Sequence, residues 1–376
     1  MPRTLLVNYW YAHPVGHAVE GMRHALGYHA ADSELSVSLL LNGATPLELA
    51  RLCPFLDRVY GVPFTSFMEV ASDPWTALVE VPREWDYVVG KSRAHHDRYP
   101  GFRTFYDAAE AHLRPRLGCA VVGQEPPAYL PHQDLRLELP ERAREEAQAT
   151  LSGRQAISII LAGSSGQREL YPSIASWELI LTELAARYPR AALCLIGKLA
   201  ADERTLSRVG RGEVERLLAA VPATVDCFDR PLLEQLALFE ASDLLVSPHT
   251  GFAFAASTVG TPWLAISGGQ WHEMFFNGVP VYSLLPNTER YPCFAWGGYL
   301  PLIEADSDGE GPRTPSMSQA RIREDLPELL AAAELLVEKC LPYEQALADY
   351  FPRLLAAYGG DRSRVFSFDG IHRRYI

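Results

Sequence analysis

The sequence is short of lysine, of paired cysteines and of long apolar runs. Only three lysines occur among its 34 basic residues, so arginine carries almost all of the positive charge, as a GC-rich bacterial genome favours. With 46 acidic residues the formal net charge is −12, which argues against a nucleic-acid-binding surface as the main role. A local basic pocket for a phosphate stays compatible with this charge.

The six cysteines form no C-x-x-C pair, and several stand in apolar contexts such as the ALCLIG around Cys194. We therefore expect buried thiols in a reducing cytoplasm. The first residues lead directly into a strand-like segment, and no apolar run is long enough for a bilayer. Neither a signal peptide nor an integral membrane segment is expected.

Strand-like and helix-like segments alternate along the 376 residues, which suits two α/β domains with parallel sheets covered by helices. We predict an N-terminal domain over 1–145, a C-terminal domain over 150–330 and a helical segment over 331–376 that packs back on the first domain. The charged stretch Leu137–Gln155 is expected to connect the domains and to be helical in part. The Pro-, Gly- and acid-rich stretch Pro286–Ser318 predicts a surface loop.

One strand–turn–helix corner has an unusual composition. Asp243–Ser247 predicts a buried strand and Phe252–Val259 a helix of small apolar residues, with SPHTG between them. The N–H groups at a helix start attract anions, and a Thr250–Gly251 turn lets a phosphate approach the backbone. An ordinary packing corner would show the same pattern.

The segment LLEQLALFEASDLLVSPHTGFAFAASTVGTPWLAISG resembles the nucleotide-sugar domain of GT-B glycosyltransferases, most of all the heptosyltransferases of family 9. In that family a helix precedes a strand ending in D-T-G-x-x-H, followed by A-A-x-x-G-T-P. IILAGSSGQRELYP is similar to the first strand and phosphate loop of the same domain. The likeness covers Ala156–Gly269 well and the N-terminal domain weakly. His249 stands where the family has Asp, and Phe254 where it has a donor-contacting His, which argues against heptose as the donor sugar.

The resemblance implies two Rossmann-like domains facing each other across a cleft, with the acceptor on the first and a nucleotide diphosphate-sugar donor on the second. It implies an inverting transfer to a hydroxyl or amine of a small molecule or glycan. No D-x-D motif stands at a strand end to bind a metal–diphosphate, so a metal-independent reaction without a cofactor is expected.

The phosphate loop supplies the first donor-binding candidates. Ser164, Ser165 and Gly166 would present N–H groups to the diphosphate, and Arg168 would pair with it bidentately. A plain strand-to-helix turn with a surface arginine is the alternative.

Lys198 follows a strand where related enzymes bind the ribose, and Gln270, Trp271 and Glu273 follow two glycines after the last predicted strand. These residues would contact the donor sugar or base, although the Trp would also suit a loop anchor. His249, Thr250, Gly251 and Phe252 complete the predicted donor site.

The loop HPVGHAVE resembles the P-x-x-G-H opening loop of family 1 glycosyltransferases, in which the His is the general base. His17 falls on that position, and a neutral imidazole can take a proton from an acceptor hydroxyl. His13 is the local rival, and Asp107 is the expected orienting carboxylate. His95 and His96 predict an acceptor-site loop in preference to a metal site.

Two other functions fit the same pattern. A nucleotide-sugar epimerase or a phosphorylase can share the architecture, because fold does not settle function. A non-catalytic protein that binds a nucleotide sugar is the other alternative, favoured by the departures at His249 and Phe254.

Overall fold

The computed structural model describes residues 2–10, 15–62, 78–90, 107–119, 128–163, 167–200, 206–266, 277–288, 302–367 and 370–376. The chain divides into two compact units, Met1–Glu138 and Leu139–Ile376. This division falls earlier than the predicted domain end at 145, because the helix that follows Pro140 belongs to the second unit.

The first unit is built on a five-stranded parallel sheet in the order β3-β2-β1-β4-β5. Its strands are β1 Thr4–Tyr9, β2 Ser36–Asn42, β3 Leu56–Val62, β4 Glu84–Gly90 and β5 Arg114–Cys119, and its helices include α1 Val15–Ala31 and α2 Leu47–Ala50. The central strand β1 is almost continuously apolar and buried, as expected for a parallel strand that is covered on both faces. Thr4 lies alongside Ser36 in the register.

The sequence FYDAAEAHLRPRL, at residues 105–117, predicts a single helix, which the structure corrects. The sequence favours a helix that continues through HLRPRL, whereas the structure is helical only over 107–112 and strand β5 begins at Arg114. Pro115 has no N–H and cannot continue a helix, but it is tolerated on an edge strand, which is where β5 lies.

The second unit contains a six-stranded parallel sheet in the order β11-β10-β9-β6-β7-β8. Its strands are β6 Ala156–Ile159, β7 Ala192–Leu195, β8 Thr224–Asp226, β9 Leu244–Pro248, β10 Trp263–Ile266 and β11 Val281–Ser283. Its helices are α3 Glu141–Leu151, α4 Ile174–Arg187, α5 Arg211–Ala220, α6 Leu232–Glu240, α7 Gly251–Ser257, α8 Gln319–Val337 and α9 Tyr343–Ala357. The predicted α/β class is confirmed, and the three-residue strand β11 was missed.

Helix α3 is more than a connection. Its residues Ala143, Ala147 and Leu151 are buried, and the helix packs against α6. Arg144 donates two hydrogen bonds to Glu240, from Nε at 2.7 Å and from Nη2 at 2.9 Å. The charged segment is therefore one layer of the second unit.

The chain after β11 contributes to the same unit. Helix α8 packs against α4 and β10, and α9 packs against β11. The predicted surface loop is wrong for residues 313–317, whose side chains are buried. The Thr314 N–H donates to the Glu169 carbonyl at 3.0 Å, which holds this stretch against the chain that follows β6. Packing of residues 331–376 on the first unit stays a prediction.

No helix in the described ranges is both long enough and apolar enough to cross a bilayer. Of the cysteines described with their side chains, Cys53, Cys194 and Cys227 are buried free thiols, as expected, whereas Cys340 is exposed. Burial raises the pKa of Cys53 to about 12, so this thiol stays protonated at neutral pH.

Candidate functional site

The corner between β9 and α7 is built around Thr250. Thr250 is the N-cap of α7, with φ −138° and ψ 153°, and its Oγ1 accepts a hydrogen bond from the Ala253 N–H at 3.2 Å. The side chain is 5% exposed. A capping hydroxyl accepts with its lone pairs and keeps its own hydrogen as a donor. Thr250 can therefore order the first turn and still donate to an anion.

The chain that follows β6 forms a second corner. At Gly163, four residues after the end of β6, this corner packs against Thr250. A Cβ on Gly163 would lie 3.0 Å from Cγ2 of Thr250 and 2.9 Å from the Tyr171 hydroxyl, so no larger residue fits without displacing them. β6 and β9 are neighbours in the middle of the sheet, so both corners lie at its carboxyl edge. Ligands bind at this edge in open α/β sheets.

The two departures from the heptosyltransferase pattern lie in one aromatic cluster around Trp263. The ring of His249 lies 5.5 Å from Trp263, and its Nε2 lies 3.4 Å from the Ser283 Oγ. Phe254 meets Trp263 edge-on, also at 5.5 Å, and is almost completely buried. The structure thus places Phe254 in the core behind the corner and leaves His249 half-exposed next to Thr250.

Arg168 lies in a short 3₁₀ turn, Arg168–Leu170, and forms an ion pair with Glu213. Its side chain is 52% exposed. The Glu213 carboxylate also accepts the Gly210 N–H at 2.6 Å, at the start of α5. Exposed ion pairs contribute little to stability, so a stronger anion can draw Arg168 away from Glu213 at small cost.

Lys198 lies in the turn that follows β7. Hydrogen bonds to the carboxylate of Asp229, a residue that was not among the predicted site residues, hold this turn in place. Asp229 accepts hydrogen bonds from the Leu199 and Ala200 N–H groups at 2.8 and 2.9 Å. Burial acts to raise the pKa of Asp229, but these N–H groups and the charges of Lys198 and Arg211 lower it overall. Asp229 has φ 59°, a conformation in which Asp is enriched, but one sequence does not reveal which Asp adopts it.

In the first unit, His17 lies in the first turn of α1 and is half-buried. Glu20, one turn further on and only 4% exposed, lies on the same helix face, where Cβ atoms three residues apart are about 5–6 Å from each other. Asp107, the predicted orienting carboxylate, is exposed at the helical stretch 107–112. The H-A-V-E spacing in the sequence places His17 and Glu20 on one face of the helix.

Several predicted site residues lie outside the described residues. They are His13, His95 and His96 of the first unit and Ser164, Ser165, Gly166, Gln270, Trp271 and Glu273 of the second. Their predicted roles stay predictions. Within the described ranges, no three His, Cys, Asp or Glu side chains are grouped as metal ligands would be.

Both units are Rossmann-like parallel sheets covered by helices, and the chain has the GT-B fold. The chain is similar to the family 9 glycosyl transferase from Veillonella parvula, with a TM-score of 0.57 and 12% identity over 90% of this chain and 98% of that one. It is also similar to E. coli ADP-heptose LPS heptosyltransferase II, with a TM-score of 0.52 and 12% identity over 88% and 99% of the two chains.

A third similar structure is E. coli heptosyltransferase WaaC with ADP-2-deoxy-2-fluoro heptose, with a TM-score of 0.50 and 9% identity over 86% and 99% of the chains. No protein-family model and no curated protein matches the sequence. At these identities the likeness is one of fold. The expected GT-B architecture and its likeness to the heptosyltransferases are confirmed.

Proposed function

We propose that the protein is a glycosyltransferase that moves a sugar from a nucleotide diphosphate-sugar donor to a hydroxyl or amine of a small molecule or glycan. The observation that carries this proposal is the corner at Thr250 and Gly251. It combines a capping hydroxyl, the N–H groups of a helix start and a close-packed glycine, Gly163, at the carboxyl edge of a GT-B sheet.

In this proposal the second unit holds the donor diphosphate. The Ala253 N–H already bonds to Thr250, which leaves the N–H groups of Gly251 and Phe252 at the helix start to face an anion. The Thr250 O–H would donate to a phosphate oxygen. Arg168 would break its ion pair with Glu213 and place its positive charge next to the diphosphate. When the bond between the sugar and the diphosphate breaks, these groups would stabilise the charge on the departing oxygen without a metal ion.

The first unit would supply the base. His17 would take the proton of the acceptor hydroxyl, while the acceptor oxygen forms a bond to the anomeric carbon and the diphosphate leaves with the bonding electrons. Attack from the side opposite the diphosphate inverts the anomeric centre. Glu20 would orient the imidazole and stabilise its protonated form, in the role that the sequence assigned to Asp107.

A donor-turnover assay tests the proposal. The protein is incubated with ADP- and UDP-linked sugars, with water or a panel of hydroxyl and amine acceptors, and the products are followed by mass spectrometry. We expect release of the nucleoside diphosphate and a sugar–acceptor adduct. An epimerase would instead change the sugar while leaving the nucleotide sugar intact, and binding without turnover of any donor would identify a binding protein.

A further inference from the structure

A small pocket in the second unit brings three arginines together. It lies between the chain that follows β6, the start of α4, the turn before α5 and the stretch before α8. It is partly open to solvent, and its cavity of about 10 Å³ has room for about one water molecule. Arg168, Arg208 and Arg313 line this arginine pocket. The other lining residues are uncharged, among them Leu161 and Trp177. No carboxylate is found among the described residues that line it.

Arg313 is the unusual member, because its side chain is only 4% exposed. Its Nη1 donates to the Pro312 carbonyl at 2.7 Å, and its buried Nε has no hydrogen-bond partner within the described part of the chain. More exposed arginines of the same unit, such as Arg187 and Arg216, do have carboxylate partners. A buried guanidinium without an anion is costly, so this arrangement points to a missing negative ligand.

The backbone holds Arg313 firmly in place. Its N–H and carbonyl pair with the Glu304 carbonyl and N–H at 2.8 and 2.9 Å, and the next N–H, of Thr314, bonds to Glu169. Arg208 is held by its N–H, which donates to the Gly163 carbonyl at 3.1 Å. The backbone at Arg313 and Arg208 is therefore fixed, and the exposed side chains of Arg168 and Arg208 swing outward to admit an anion larger than water. The pocket lies beside the chain at Gly163, the glycine that packs on Thr250.

We propose that the arginine pocket binds a phosphate-class anion, with Arg313 as its fixed base. The planar guanidinium can donate two parallel N–H bonds to one anion, and the Nε of Arg313 is one of the two donors that such a fork needs. Arg168 and Arg208, which are exposed, close over the anion from the solvent side. The phosphate is either free or the terminal phosphate of a nucleoside diphosphate. This inference does not depend on the proposed transferase activity.

An internal ion pair is the rival explanation. Asp308 lies on the same stretch of chain, and its Oδ2 is also buried without a hydrogen-bond partner among the described residues. Its Oδ1 accepts the Glu310 N–H at 2.9 Å. If Asp308 turned toward Arg313 in solution, both groups would be satisfied and the pocket would repel a phosphate.

Isothermal titration with inorganic phosphate in a low-salt chloride buffer tests the proposal. The wild-type protein should bind phosphate saturably, and Arg313→Gln should lose roughly tenfold or more in affinity, as for lost bonds to a charged group. Arg208→Gln, at an exposed position, should lose about two- to fivefold and keeps the test open if the Arg313 variant does not fold. Arg187→Gln, a surface arginine of α4 outside the pocket, is the matched control and should bind as the wild type does.

Competition with ADP and two further variants distinguish phosphate binding in the arginine pocket from the donor site and from the internal ion pair. Competition between ADP and phosphate would assign the pocket to the diphosphate of a nucleotide, whereas independent binding would assign it to a separate phosphate. Thr250→Val reports on the donor corner and Arg313→Gln on the arginine pocket. Failure of the proposed donor site, seen as unchanged ADP affinity in Thr250→Val, is therefore distinguishable from failure of this pocket. Absence of saturable phosphate binding by the wild type, or equal binding by the wild type and both pocket variants, would overturn the proposal. Loss of thermal stability in Asp308→Asn, together with absent phosphate binding, would establish the internal pair instead.

Discussion

Two strand-to-helix corners in this molecule differ in the kind of chemistry that they present. The corner between β9 and α7 has a buried threonine, a glycine and a seven-residue helix whose side chains are small except for Phe252 and Phe254. The start of α1, which follows β1, leads a helix of 17 residues and buries ionisable side chains, including Glu20 and Arg23, beyond His17. The first corner offers N–H and O–H donors to an anion, and the second offers groups that can exchange a proton.

The comparison indicates that binding a diphosphate and moving a proton, the two steps of the proposed transfer, need different local structures. Holding a phosphate needs close approach to the backbone, and small residues such as Gly163 and Gly251 allow that approach in the proposed donor site. Moving a proton needs a titratable side chain whose orientation is fixed by neighbours. A substitution in one corner should therefore leave the function of the other corner unchanged.

The largest effect is expected for His17→Ala. Loss of a positioned base should lower turnover by roughly 10²–10⁴-fold, while nucleoside diphosphate affinity stays at the wild-type value. The wild-type rate should rise with pH as the base loses its proton, and the variant should lose this limb. The measurement is a pH–rate profile of donor turnover. His29→Ala, at the far end of α1, is the control, and a variant profile that keeps the limb would place the base elsewhere.

A smaller effect is expected for Glu20→Gln. A neighbouring carboxylate stabilises the imidazolium, so its removal should shift the acid limb of the profile to lower pH, by up to about one unit. Asp107→Asn, which changes the exposed carboxylate, should leave the limb in place. The reverse result, with a shift only in the Asp107 variant, would restore the assignment made from the sequence.

The smallest effect is expected for a pair of glycine substitutions, one in each unit. Gly163→Ala would place a Cβ within 3.2 Å of two side-chain carbons of Thr250, so a displaced hydroxyl should weaken nucleoside diphosphate binding a few-fold. Gly21→Ala, whose Cβ would lie 3.2 Å from the Tyr9 ring, should leave that affinity unchanged. Titration of both variants with ADP and UDP provides the comparison. Equal ADP and UDP affinities in the two variants would show that Gly163 is not part of the proposed donor site.

Much of the fold could be predicted because periodicity and glycine-rich turns report local structure. The strand and helix around SPHTG, and the parallel α/β class, follow from apolar runs that alternate with amphipathic segments. Strand β11, Val281–Ser283, was missed because this three-residue strand stands between Pro280 and the proline-rich stretch that begins at Pro286, a composition typical of a loop. The end of the helix at 107–112 was misplaced because Pro115 was assigned to the helix and not to an edge strand.

The candidate site was predictable only in part. Thr250 and Gly251 have a motif with a local mechanism, so the sequence predicts them as donor-site residues, and the structure shows Thr250 as the N-cap of α7. Their binding role stays a prediction. Arg313 lies in a stretch whose composition indicates a solvated loop, and its burial depends on backbone bonds to Glu304 and from Thr314 to Glu169. Contacts across more than a hundred residues leave no signal in one sequence.

The central claim is that the corner at Thr250 holds the diphosphate of a nucleotide, and the most direct test is calorimetric titration with ADP and UDP. Thr250→Val removes the hydroxyl, and we expect a loss of roughly tenfold or more in affinity for the diphosphates, with little change for the nucleosides. Thr250→Ser should restore the affinity because it restores the O–H. Thr258→Val, which changes a buried threonine at the opposite end of α7, is the matched control and should bind as the wild type does. Equal diphosphate affinities in the wild-type, Thr250→Val and Thr258→Val proteins, all correctly folded, would contradict the account.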